Sequence, residues 1–141
     1  MNTRKAKAVW LGNLKDGKGT MELGSGIFQG PYSFRSRFEM GDGTNPEELI
    51  AAALAGCFSM ALAHILSEAG YAPLKIATTA KAHLDAVLNG FAIKIIELET
   101  EGAVPGIESE QFRQYAEEAK TNCPVSKALA GAKIELTAKL V

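Results

Sequence analysis

Two cysteines, Cys57 and Cys123, are the residues of this sequence whose type could support nucleophilic or redox chemistry. They are too few and too far apart for a disulfide scaffold, so a reducing cytosol is the expected compartment, where such a pair is catalytic, redox-active or structural. Cys57 sits in the middle of ELIAAALAGCFSMALAHIL, Glu48–Leu66. Taken bare, a cysteine in such an apolar run is a small hydrophobe whose thiol pKa is raised by burial. Cys123 precedes Pro124 and is expected at the start of a short helix, a position that lowers a thiol pKa. The two histidines add little. His64 lies two turns beyond Cys57, about 10 Å along a helix, too far for a nucleophile–base pair or a shared metal. It is expected in the core or at an interface, and His83 on a strand facing solvent. No Cys-x-x-Cys or paired-histidine spacing calls for a metal, and no phosphate-loop spacing is present.

The elements that would position these residues follow from periodicity and caps. Lys5–Leu11, Thr20–Phe28 and Pro31–Phe38 alternate as strands, the last with Arg35 and Arg37 on one face. Asn45 or Thr44 caps a helix that starts with Pro46, Glu47 and Glu48, runs to about Glu68 and stops at Gly70. Leu74–Leu88 and Phe91–Glu101 form a hairpin about Asn89-Gly90, with a phase slip between Ile95 and Ile96 that predicts a bulge. Helices are expected over Ser109–Lys120 and from Cys123 to near Gly131, and a strand over Lys133–Leu140.

Strands grouped apart from helices indicate an α+β fold with antiparallel pairing, expected as one domain over residues 1–141. With 15 basic and 16 acidic residues the chain lacks the basic excess of a nucleic-acid binder. The first ten residues, MNTRKAKAVW, do not read as a secretory signal. The apolar run reaches the length of a membrane span, about 18 residues, but its alanine richness and internal Gly56, Ser59 and His64 argue against one. A helix apolar on nearly every side needs cover on every side, and one sheet covers only one. A homodimer with the cysteine-bearing helix at or near the interface meets that need.

The stretches PYSFRSRFE, GDGTNPEELIAAALAGCFSMAL, AVPGI and AKTNCPVSKAL, in this order, resemble the osmotically inducible protein C / organic hydroperoxide resistance family, the osmotically inducible branch above all. The resemblance spans essentially the whole chain. It implies antiparallel sheets around long central helices in an intertwined homodimer, and a thiol peroxidase acting on organic hydroperoxides and hydrogen peroxide. It further implies Cys57 as the peroxidatic cysteine, Cys123 as the resolving one, Arg37 as the arginine near the thiolate and Glu47 as the carboxylate that holds it, with Arg35 competing for the arginine role. An external dithiol, lipoyl-type in at least one branch, would reduce the resulting disulfide, with no metal or other cofactor.

The chemistry is coherent: a thiolate attacks one peroxide oxygen, and a guanidinium lowers the thiol pKa and offsets the charge of the departing alkoxide. Glu47 and Cys57, ten residues apart, are separated by about 15 Å of continuous helix, so either the glutamate and arginine come from the partner chain, the favoured arrangement, or the segment bends sharply. The alternatives are a redox sensor that reacts once without turnover and a small-molecule-binding dimer.

Overall fold

The computed structural model describes residues 1–141, which divide into two compact units, Met1–Leu49 and Ile50–Val141. The first unit holds an antiparallel sheet of β1 (Ala6–Leu11), β2 (Lys18–Leu23) and β3 (Gln29–Tyr32) in that order. Gly19 pairs with Trp10 on one side and Tyr32 on the other. A Cβ there would meet the Tyr32 ring at 2.5 Å and the Trp10 ring at 2.6 Å. Only a bare backbone lets the two aromatics come together, with centroids 5.3 Å apart.

Two strand expectations in this unit are corrected. β2 ends at Leu23 because the backbone turns through Gly24–Gly26, where Gly26 adopts φ +79° and Leu23 N–H reaches the Phe28 carbonyl at 3.0 Å. Pro31–Phe38 is not one strand. After Tyr32 the chain enters a short helix, α1 (Phe34–Phe38). Ser33 and Ser36 form a reciprocal capping box: Ser36 N–H donates to Ser33 Oγ at 3.1 Å and Ser33 N–H donates to Ser36 Oγ at 2.8 Å. These local hydrogen bonds outweigh the alternation of Tyr32, Phe34, Ser36 and Phe38 that mimics a strand.

Helix α2 runs unbroken from Pro46 to Glu68, 23 residues. Its start is capped as expected, with Glu48 N–H donating to Asn45 Oδ1 at 2.8 Å. Gly70, at φ +91°, ends it. The helix is long and apolar enough to cross a membrane by length and composition, with mean hydropathy 2.1. One stripe, Leu54, Phe58, Leu62 and Leu66, is wholly buried, in the i, i+4 spacing of a single helix face. The opposite stripe, Ala53, Gly56, Met60 and His64, is exposed, and Met60 keeps 76% of its surface. His64 is therefore outside the core of its own chain.

The buried stripe packs in the second unit against a sheet ordered β4 (Lys75–Val87), β5 (Gly90–Ala103), β6 (Lys133–Leu140). Ile96, Leu98 and Thr100 point inward from β5, while Lys81–Glu99 and His83–Glu97 pair on the outer face. The expected bulge is present: Ala82 pairs with Ile96 and Leu84 with Ile93, so Lys94 and Ile95 together oppose His83. β4 and β5 are antiparallel, but β6 runs parallel to β5, contrary to the all-antiparallel expectation. A parallel neighbour requires a crossover, supplied here by α3 (Ser109–Asn122) and α4 (Pro124–Ala128). Phe112, Ala116 and Ala119 of α3 complete the core.

Because Leu62 is fully enclosed in this core, Leu62→Ala is expected to lower unfolding free energy by about 2–5 kcal/mol in denaturant titration. A loss below half a kilocalorie would contradict the placement of this helix face.

Candidate functional site

In the second unit, Cys123 closes α3 and opens α4. Its N–H donates to the Ala119 carbonyl at 2.9 Å and its carbonyl accepts from Lys127 at 3.1 Å. This double role fixes its side chain, which is fully buried. Cys57 projects from the middle of α2 and is half-buried. The two sulfurs lie 2.7 Å apart in hydrogen-bonding contact, both as free thiols. Of the two residues, Cys57 is the more exposed, and Cys123 is buried beside it.

The surroundings treat the thiols differently. Burial pushes the Cys57 thiol up, and the contact with Cys123 adds to the rise, while the Val125 N–H partly offsets it. At Cys123 burial also acts upward. It is outweighed by the contact with Cys57, the Ser126 N–H and hydroxyl and the Val125 N–H, so the net shift is downward. Within one chain the surroundings thus favour the anion more at Cys123 than at Cys57. The direction at Cys123 is the one expected for a thiol at a helix start.

Elsewhere on α2 a chain of hydroxyls ties the helix to the sheet. Ser59 Oγ donates to the Ala55 carbonyl and approaches Thr78 Oγ1, each at 2.8 Å, and Thr78 Oγ1 lies 2.9 Å from Thr100 Oγ1. Sequence reading passed over these residues. Their signal was an inward-facing threonine on each of two paired strands, Thr78 opposite Thr100.

The first unit holds the other two expected residues. Arg37 leaves α1 and meets Glu47 in a bidentate pair: Nη2 to Oε1 at 2.8 Å, Nε to Oε1 at 3.1 Å and to Oε2 at 3.3 Å. Glu47 is 7% exposed, whereas the Arg37 side chain keeps 37% of its surface. A buried carboxylate demands such a partner, and the planar fork of arginine matches both oxygens. Arg35 instead meets Glu39 in an exposed pair at 3.6 Å. Of the two arginines, then, Arg37 is the one that Glu47 holds. The local fold makes the choice: Asn45 Nδ2 donates to the Ser36 carbonyl at 3.0 Å and Ser36 Oγ to the Thr44 carbonyl at 2.7 Å, which clamps α1 against the segment leading into Glu47. Nε and Nη2 face Glu47, leaving Nη1 for another acceptor. The guanidinium borders a cleft of about 410 Å³ lined by Trp10, Leu14, Tyr32, Phe34 and Phe38. Its apolar walls beside one fixed cation suit a molecule with a greasy body and a polar or anionic end.

No group of His, Cys, Asp and Glu is arranged to hold a metal ion.

Residues 39–139 match the family model described as OsmC-like protein. The chain is 52% identical over 135 residues to peroxiredoxin OsmC of Escherichia coli (strain K12), covering 95% of this chain and 92% of that protein. It is 33% identical over 92 residues to the organic hydroperoxide resistance protein of Xanthomonas axonopodis pv. citri (strain 306), covering 64% of this chain and 63% of that one. Among solved structures, the organic hydroperoxide resistance protein OhrB of Bacillus subtilis matches with TM-score 0.73 at 24% identity, over 97% of this chain and 98% of that one. An organic hydroperoxide resistance protein of Elizabethkingia anophelis matches with TM-score 0.74 at 27% identity, over 99% and 96% of the two chains. The α+β fold is that of these proteins, and the chain belongs to the OsmC-like family.

Proposed function

We propose that this protein is a cysteine thiol peroxidase that reduces organic hydroperoxides, and hydrogen peroxide less readily, in oxidative stress defence. The observation that carries this reading is the sulfur pair: a half-buried Cys57 in contact with a sealed Cys123. The kinship to a protein named peroxiredoxin and to organic hydroperoxide resistance proteins supports it.

In the proposed cycle the Cys57 thiolate attacks the terminal oxygen of the hydroperoxide. An S–O bond forms, the O–O bond breaks, and the alkoxide leaves and takes up a proton to become the alcohol. Cys57 is then a sulfenic acid. Cys123 attacks its sulfur, an S–S bond forms, and the hydroxyl departs as water. With the sulfurs already in contact, little movement is needed for this closure. An external dithiol returns both cysteines to thiols and is itself oxidised to a disulfide. A lipoyl-type donor is the first candidate, and the cytosol, where thiols are kept reduced, is the proposed compartment.

Burial and the Cys123 contact disfavour the Cys57 anion within one chain, so an additional positive charge would help it become the nucleophile. Arg37, fixed by Glu47, is proposed to supply it from a second copy of the chain. Two features support a homodimer: the exposed apolar stripe of α2, and the length of unbroken helix between Glu47 and Cys57, about 15 Å over ten residues. In such a dimer the guanidinium lowers the Cys57 pKa and stabilises the departing alkoxide, and the aromatic cleft beside Arg37 receives the alkyl chain.

In a peroxidase assay with cumene hydroperoxide and a dithiol, Cys57→Ser is expected to reduce turnover to background. Cys123→Ser should consume one equivalent of peroxide per chain and leave a trappable sulfenic acid. Full turnover by Cys57→Ser would end the assignment, and unchanged steady-state rates in Cys123→Ser would remove its resolving role.

Arg37→Ala should slow peroxide attack by about 10²–10³-fold and move the Cys57 titration upward, since the cation that favours the anion is gone. An unaltered thiol titration in this variant would contradict the proposed role.

A further inference from the structure

Ser126 is 8% exposed, and its Oγ has no hydrogen-bond partner, alone among the buried side-chain oxygens and nitrogens. Such groups almost always have partners, so an orphan calls for a reason. Ser126 is the third residue of α4, and Cys123 is the residue that caps it. The same spacing occurs at α1, where Ser36 reaches back to accept from the Ser33 N–H at 2.8 Å. At α4 that route is closed. The Cys123 N–H is already committed to the Ala119 carbonyl, because Cys123 also ends α3. The serine is thus left one helical turn past the capping residue, with its usual donor taken and its hydroxyl acting on that residue's thiol. A hydroxyl can turn and donate instead of accept.

We propose that Ser126 is a positioning residue for Cys123: its hydroxyl donates to the Cys123 sulfur whenever that sulfur carries negative charge. In the neutral thiol the hydroxyl goes unpaired, and it gains its partner when Cys123 ionises. The groups acting on Cys123 are Cys57 from α2 and, from α4, the N–H groups of Val125 and Ser126 together with this hydroxyl. Cys57 is the one titratable group among them.

The consequence falls on disulfide closure, and this part rests on the peroxidase reading. Closure requires Cys123 to attack the Cys57 sulfenic sulfur as the anion, with the S–S bond forming as the S–O bond breaks and the departing hydroxide protonated to water. A hydroxyl that holds the Cys123 anion raises the fraction ready to attack near neutral pH. The same hydroxyl steadies Cys123 as the leaving thiolate when an external dithiol attacks the more accessible Cys57 sulfur of the disulfide.

The test begins with a measurement that needs no peroxide. Thiolate absorbance is titrated in a Cys57→Ala background, which isolates Cys123, with Ser126, Ser126→Ala and Ser126→Thr compared. Loss of the hydroxyl is expected to shift the Cys123 titration up by about one pH unit, and threonine, which keeps the hydroxyl, to restore it. The alanine variant should melt no lower than its parent below the titration range, since it removes an unpaired buried hydroxyl. In the Cys57-containing protein, Ser126→Ala should slow closure of the disulfide about tenfold near neutral pH, with the loss recovered as pH rises. Superimposable titrations of Ser126 and Ser126→Ala overturn the proposal, as does a slowing that is equal at every pH. Failure of the peroxidase reading would appear separately, as no oxidation of Cys57 by peroxide.

Discussion

A helix that is apolar all round but covered on only one side is the constraint on which the rest of the protein turns. α2 spends Leu54, Phe58, Leu62 and Leu66 on the core of its own unit. Ala53, Gly56, Met60 and His64 face outward. Cys57 lies between the two faces, half-buried, with one side against Cys123. That placement gives the thiol enough apolar cover to disfavour its anion while leaving the residue partly exposed. In the proposed dimer a second copy lies on the bare stripe and brings its Arg37 to the sulfur. The small side chains Ala53 and Gly56 would allow the backbones a close approach.

The Arg37–Glu47 pair is built with equal economy of parts. A carboxylate as enclosed as Glu47 is tolerated only because a guanidinium satisfies both oxygens. The reverse also holds: an arginine fastened by Nε and Nη2 loses the freedom that makes most surface arginines poor electrostatic catalysts. The capping box of α1 and the Asn45 and Ser36 clamps give that orientation its rigidity. Preorganisation of this kind lets a single charge favour a transition state without reorganising as the reaction proceeds. On the sulfur side the polar groups are neutral: the Val125 and Ser126 N–H groups act on Cys123, and Val125 acts on Cys57 too.

Much of the fold was legible in the sequence where local signals agree. The Asn45-Pro46-Glu47-Glu48 start and Gly70 stop of α2, the Asn89-Gly90 hairpin and the slip at Ile95–Ile96 all rest on short-range chemistry, and all are present. Two features were not legible, for different reasons. At Ser33–Phe38 an alternating pattern competed with a serine capping box, and the local hydrogen bonds prevailed. The parallel pairing of β6 with β5 depends on which edge of a distant strand is free, and periodicity carries no information on that. The site was readable only in part. Nothing in the spacing of Cys57 and Cys123 announces that their sulfurs touch, and the bare reading of Cys57 as a core residue captures half of its environment. The family resemblance supplied the pair and chose Arg37, and the bidentate contact to Glu47 gives that choice a physical basis. Ser126 stayed hidden because its distinction is the absence of a partner, which only coordinates reveal.

The account's central claim is that the guanidinium and the sulfur of one reaction centre come from different chains, and subunit exchange tests it most directly. Arg37→Ala and Cys57→Ser chains are each expected to be inactive or nearly so alone. If they are mixed and allowed to exchange, every mixed dimer contains one centre that pairs an intact Arg37 with an intact Cys57. Random two-fold pairing then predicts recovery of about a quarter of wild-type activity. Activity that stays at the level of the separate variants, after exchange has been verified, would contradict a shared site and place both groups within one chain.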